Sequence, residues 1–165
     1  MIERKGNRLA GYDYSQNGAN FITICAKDNT QIFGHIRVGD GPLAVPHVQL
    51  SHNGKIVDTF IQNIPKTNDA LSVPHYVIMP NHVHLILVIQ AQGSGTPRAA
   101  SPTVAKVVNA LKGLSSKKAG FSLWQRSYHD HIIRNEKSYL MIAEYIENNP
   151  AQWAEDRYFT GKEDL

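Results

Sequence analysis

The alternation of apolar and polar positions divides this chain into short elements. "FITICA" follows the turn-rich "GYDYSQNGAN" and predicts a first strand over Phe21–Ala26. A strand pair is expected over Gln31–Arg37 and Leu43–Leu50, divided by "VGDGP", whose glycines and proline mark a turn. In "SHNGKIVDTFIQNI", Ile56, Val57, Phe60, Ile61 and Ile64 recur at helical spacing, and Pro65 is expected to end that helix. "LSVPHYVIM" and "HVHLILVI" read as two strands joined by Pro80 and Asn81. The second is apolar on both faces beyond His84, the mark of a central strand.

"AQGSGTPRAAS" is rich in Gly, Ser and Pro and is the one flexible connection predicted. Ser101 as N-cap and Pro102 at the first helical position then open a helix over 102–116. Its stripe is Val104, Val107, Val108, Leu111 and Leu114, and Lys106 and Lys117, about three turns apart, share its outer face. "FSLWQRSYHDHIIR" reads as a strand or an ordered loop, and a last helix runs from near Asn135 to Pro150. Hairpins with helices between them predict a single α+β layered domain over residues 1–165.

Composition bounds the class. A chain of 165 residues with 42% hydrophobic and 19% charged side chains is a globular protein with a real core. The single cysteine, Cys25, excludes a disulfide framework and a cysteine zinc site, and points to a reducing, cytoplasmic location. The start, "MIERKGNRLA", is not expected to be a signal peptide, and the longest apolar run, "LILVI", is too short to span a bilayer, so no membrane partner is expected.

The net charge of +3 is unevenly spread. From Ala70 to His129 there is no Asp or Glu, while Arg98, Lys106, Lys112, Lys117, Lys118 and Arg126 all fall there. A local cationic field suggests a polyanion partner, although a solvated helix face would give the same run.

The chemistry-bearing stretch is "MPNHVHLILVI". His82 and His84 are spaced i, i+2, so on a strand they project from one face while Val83 points to the other. If they hold a metal, two ligands are too few. The last helix offers another in "EYIENNP", where Tyr145 and Asn149 stand one turn apart on one face. A tyrosine hydroxyl beside a metal-bound group is a nucleophile awaiting an electrophile. The second histidine pair, His129 and His131, brackets a charged residue and fits a surface segment; Tyr128, beside the basic segment, is a rival nucleophile.

"PNHVHLILVI", "WQRSYHDHIIRNE" and "YIENNP", in that order, resemble the REP-associated tyrosine transposases, single-tyrosine HUH transposases of bacterial insertion sequences. "GYDYSQNGANFITICAKDNTQIFG" is similar to one subgroup, so the resemblance spans nearly the whole chain; residues 91–101 and the 102–116 helix match no motif. The resemblance implies a ferredoxin-like antiparallel sheet carrying the histidine pair, with helices on one face and a C-terminal catalytic tyrosine helix docked beside it. It implies that His82, His84 and Asn149 bind a divalent metal and that Tyr145 is the nucleophile.

The implied reaction is transesterification of single-stranded DNA bearing hairpins or palindromic repeats, through a 5′-phosphotyrosine link. Mg²⁺ prefers oxygen ligands and imidazole suits Mn²⁺, so both metals are candidates. Both imidazoles must be neutral to bind, which predicts loss of activity below about pH 6. Arg98, Lys106, Lys117, Arg126, Arg134 and Lys137 are candidate backbone contacts, with Trp124 and Tyr128 as stacking platforms. Arg4, Lys5 and Arg8 form a candidate basic arm or a basic tail. Relatives act as monomers or homodimers. Two alternatives stand: a domesticated, non-catalytic single-strand-binding module, and a histidine-triad nucleotide hydrolase. The latter wants further histidines where Ile86 and Val88 stand.

Overall fold

The computed structural model describes residues 18–90 and 102–155. The connection Ala91–Ser101 with Arg98, the expected N-cap Ser101 and the basic stretch Arg4–Arg8 lie outside the described residues. Four strands form one antiparallel sheet: β1 (Gly18–Cys25), β4 (Leu71–Met79), β5 (His82–Ile89) and β6 (His129–Ile133), in spatial order β4-β5-β1-β6. With α1 (His52–Thr67) between β1 and β4 and α2 (Val104–Ala119) between β5 and β6, this is the β-α-β-β-α-β ferredoxin-like topology. A separate hairpin, β2 (Gly34–Arg37) with β3 (His47–Leu50), is inserted before α1. The last helix, α3 (Glu136–Asn148), leads into a 3₁₀ turn, Pro150–Glu155.

β5 lies between β4 and β1, as its two-sided apolar pattern requires. Alternation sorts its side chains. Val83, Leu85 and Leu87 join Ile22 and Ile24 of β1 in a core covered by Val57, Ile61 and Ile64 of α1 and by Val108 and Leu111 of α2. Ile86 and Val88, with Ala19 and Ile133, face Tyr139, Ala143 and Ile146 of α3. So α1 and α2 cover one face and α3 the other. The histidines, in phase with Ile86 and Val88, fall on the α3 face.

Local chemistry sets the boundaries, in places differently from the pattern. Ser51 caps α1, its Oγ accepting from the Gly54 amide at 3.1 Å. A Cβ at Gly54 would fall on the Phe33 carbonyl oxygen, so only glycine lets the cap approach this closely. Pro65 does not end α1. A proline in the last turn removes one donor but has helical φ, and the helix runs on to Thr67, whose hydroxyl donates to the Ile64 carbonyl at 2.7 Å. Thr103 caps α2, accepting from the Lys106 amide at 3.2 Å, and Gly120 closes it at φ 88. Leu114, expected in the buried stripe, is 51% exposed. Pro74 sits beside a register irregularity between Ser72 and His75 in β4, an edge strand where a missing donor is tolerated.

Candidate active site

The tight Pro80-Asn81 turn places His82 and His84 at the start of β5. The turn is held from outside: the Phe33 amide donates to the Pro80 carbonyl at 3.0 Å, and the Ala26 amide donates to that of Asn81 at 2.9 Å. Cross-strand register then sets His82 opposite Cys25 and His84 opposite Thr23. Both imidazoles are buried, 0% and 2% exposed, with ring centroids 4.5 Å apart and planes at 70°.

Each ring is held at one nitrogen and over one face. His82 Nδ1 lies 2.8 Å from Asn81 Oδ1, and Trp153 stacks over the ring at 6.1 Å. His84 Nδ1 lies 2.8 Å from Thr23 Oγ1, and Phe21 stacks over that ring at 5.3 Å. With Nδ1 committed in both rings, the nitrogen each would offer a metal is Nε2.

The third component comes from α3. Asn135 caps it, accepting from the Ser138 amide at 2.8 Å, as its sequence position suggests. Burying the Tyr139–Ala143–Ile146 seam against the sheet turns Tyr145 toward the imidazoles. Its ring meets that of His84 edge-on at 5.3 Å, with the side chain still 38% exposed. One turn further, Asn149 is 1% exposed at the helix C-terminus. In the chain it stands four residues from Tyr145, which touches His84, and four from Trp153, which covers His82. Its Oδ1 is buried without a hydrogen-bond partner. Leaving an acceptor so costs about 1–3 kcal/mol, which coordination to a cation would offset. Two imidazole nitrogens and an amide oxygen are a donor set whose chemistry would suit Mn²⁺, while Mg²⁺ would favour the oxygen. Among the described residues no group of three or more His, Cys, Asp or Glu side chains is placed to hold a metal.

The expected DNA contacts divide differently. Trp124 is not a stacking platform: it is 5% exposed, packs on Phe33 at 4.8 Å and donates from Nε1 to Ser115 Oγ at 2.9 Å. Tyr128 packs against the α1/α2 core, across the sheet from the imidazoles, which removes it as a platform beside them and as a rival nucleophile. Lys106 and Lys117 are exposed, but α2 covers the face opposite the histidines, so they do not extend the site's own surface. Arg126, Arg134 and Lys137 are exposed. Arg126 precedes the end of β6 that pairs with Thr23, the row of His84. Arg134 follows the end that pairs with Ala19, roughly 13 Å along the strand. His129 and His131, in register with Thr23 and Phe21, stand exposed on the site's face.

Four residues of the site escaped the sequence reading: Asn81, Thr23, Phe21 and Trp153. Asn81 had a visible signal, since it directly precedes His82. The other three are ordinary strand and tail residues until register and the docking of α3 bring them in.

No family model matches the chain. An uncharacterized protein of Haemophilus influenzae is 36% identical over 174 residues, covering 94% of this chain and 93% of that protein. Among solved structures, a REP-associated tyrosine transposase bound to a REP hairpin matches with a TM-score of 0.60 at 18% identity, over 91% of this chain and 76% of that one. That likeness is one of fold: an antiparallel four-stranded sheet with packed helices.

Proposed function

The chain belongs to the same family as the uncharacterized Haemophilus influenzae protein, and for it we propose the function of a metal-dependent, tyrosine transposase-like enzyme that cleaves and rejoins hairpin-bearing single-stranded DNA. The observation that carries this reading is the meeting of two distant parts of the chain, β5 and α3: the Tyr145 phenol lies beside the buried pair His82 and His84, and one turn further along α3 stands Asn149 with its buried, unsatisfied amide oxygen. The fold shared with a transposase that binds a REP hairpin supports hairpin DNA as the partner.

Tyr145 Oη would bond to a backbone phosphorus as the bond from phosphorus to the 3′-oxygen breaks. The phenol proton leaves to solvent, to which the side chain is open, and the departing 3′-oxygen takes one up. The product is a 5′-phosphotyrosine link and a free 3′-hydroxyl. Because the link conserves the phosphodiester, a second 3′-hydroxyl reverses the step and joins strands without ATP. A divalent cation, Mg²⁺ or Mn²⁺, held by His82, His84 and Asn149 would supply Lewis-acid polarisation of the scissile phosphate. Burial of the imidazoles and their Nδ1 contacts hold both rings in place. Arg126, exposed three residues before the β6 end that pairs with Thr23, is the candidate contact for a phosphate of the incoming strand.

The test is adduct formation. With Mn²⁺, the protein should give a gel-stable covalent complex with labelled hairpin-bearing single strands. Tyr145→Phe should abolish the complex and leave DNA affinity within about twofold. An adduct formed by the phenylalanine variant would overturn the assignment of the nucleophile. A mobility shift from the wild type without any adduct would favour the binding-module reading, and turnover of small nucleotides the hydrolase.

A further inference from the structure

We propose that Asn81 is a positioning residue that fixes the proton of His82 on Nδ1 and thereby presents Nε2 as the ligand nitrogen; the ligand half of this proposal rests on the metal reading of the site above. Asn81 is fully buried in the Pro80-Asn81 turn. Its Oδ1 lies 2.8 Å from His82 Nδ1, and its Nδ2 donates to the Asn29 carbonyl at 3.3 Å. The second contact settles the orientation of the amide. Turned over, it would set one carbonyl-type oxygen against another and its NH₂ against the ring nitrogen. An amide oxygen only accepts, so the ring nitrogen facing it must carry the hydrogen. A neutral imidazole has one N–H, which leaves the Nε2 lone pair for a cation.

The support behind Asn81 is itself built. Asn29 holds a left-handed backbone at φ 54, next to Asp28 at φ 57. Its amide donates to the Ala26 carbonyl at 3.0 Å, and its side-chain oxygen accepts from Gln125 Nε2 at 3.1 Å. Gln125 is tied in turn to β1, its amide donating to the Cys25 carbonyl at 3.0 Å. A non-glycine residue in this backbone region is uncommon and persists where surrounding contacts require it. Here it aims the Asn29 carbonyl at the Asn81 amide. His84 differs: its Nδ1 faces the Thr23 hydroxyl, which donates or accepts equally well and selects neither tautomer. Of these two Nδ1 contacts, the one that discriminates is that of His82.

Nitrogen-15 histidine spectra of the full-length protein without metal should show His82 protonated at Nδ1. Asn81→Leu, similar in size, should give a mixture of tautomers and weaken Mn²⁺ binding about 10–100-fold in calorimetry. Asn81→Asp, which keeps an acceptor at that place, should retain the Nδ1 proton and bind Mn²⁺ within tenfold of wild type. Should the leucine variant not fold, the wild-type and aspartate spectra still decide. A wild-type His82 protonated at Nε2, or a folded leucine variant with unchanged tautomer and affinity, overturns the proposal. An Nδ1 proton lost in the leucine variant while neither protein binds Mn²⁺ overturns the metal reading of the site and upholds Asn81 as the residue that sets the tautomer.

Discussion

The ring of Tyr145 meets the imidazole of His84 edge-on, centroids 5.3 Å apart and planes at 60°, and Phe21 touches both. Phe21 stacks on the imidazole at 5.3 Å and meets the phenol edge-on at 6.2 Å. It thus sets the spacing between the proposed nucleophile and a proposed ligand. Phe21→Ala should destabilise the fold by about 2 kcal/mol, less than a fully buried phenylalanine because the ring is partly open. It should also slow adduct formation at least tenfold in single-turnover assays at saturating DNA, since misplacement by an ångström is costly in positioned chemistry. An unchanged rate in a folded variant would assign Phe21 to packing alone.

Asn149 offers a separation of stability from function. Its Oδ1 is a buried acceptor without a partner, so Asn149→Leu removes a destabilising atom. In urea melts without metal the variant should be as stable as wild type or up to about 1–2 kcal/mol more so. Mn²⁺ affinity should fall at least tenfold. A large loss of stability with unchanged metal affinity would make Asn149 a structural cap.

Trp124 is anchored by its ring contact with Phe33 and its hydrogen bond to Ser115. Trp124→Ala should cost about 3–5 kcal/mol in urea unfolding, as other large core truncations do. At a temperature where both proteins are folded, affinity for single strands should stay within about twofold. A specific loss of DNA affinity would restore the stacking role that the sequence suggested.

His75 lies under α3, edge-on to Tyr139 at 5.8 Å, and burial lowers its pKa from 6.5 while Glu147 pulls the other way. With the folded value below the unfolded one, the unfolded chain takes up the proton first as pH falls. Its contribution is therefore intact above about 6.5 and lost as pH falls through the folded value. His75→Gln should lose less stability than wild type between about pH 7 and pH 5, read as the difference between two urea series. Parallel series would place the acid sensitivity elsewhere.

Much of this arrangement could be read from local pattern. The two-sided apolar run of β5, the Ile56–Ile64 stripe of α1, the Asn135 start of α3 and the shared face of Tyr145 and Asn149 are all periodicities of one element, set by backbone geometry. So is the common face of His82 and His84. Where local reading failed, as at Pro65 and Thr103, neighbouring side chains or φ preferences offered the helix a boundary the pattern does not encode.

What no single element states is which other element covers its face. The Lys106 and Lys117 face of α2 is cationic in either case, but the β5–α2–β6 crossover puts it across the sheet from the histidines. Trp124 is an indole anywhere, and only its bridge beside Ala26 carries it inside. Asn81, Thr23 and Phe21 acquire their roles from strand register, and Trp153 from the docking of α3. The sequence by itself determined the elements and the residues that share each face, because period follows from the backbone. Tertiary structure alone decided that the phenol and the imidazoles meet, because that depends on burying two apolar faces of one sheet under helices from distant parts of the chain.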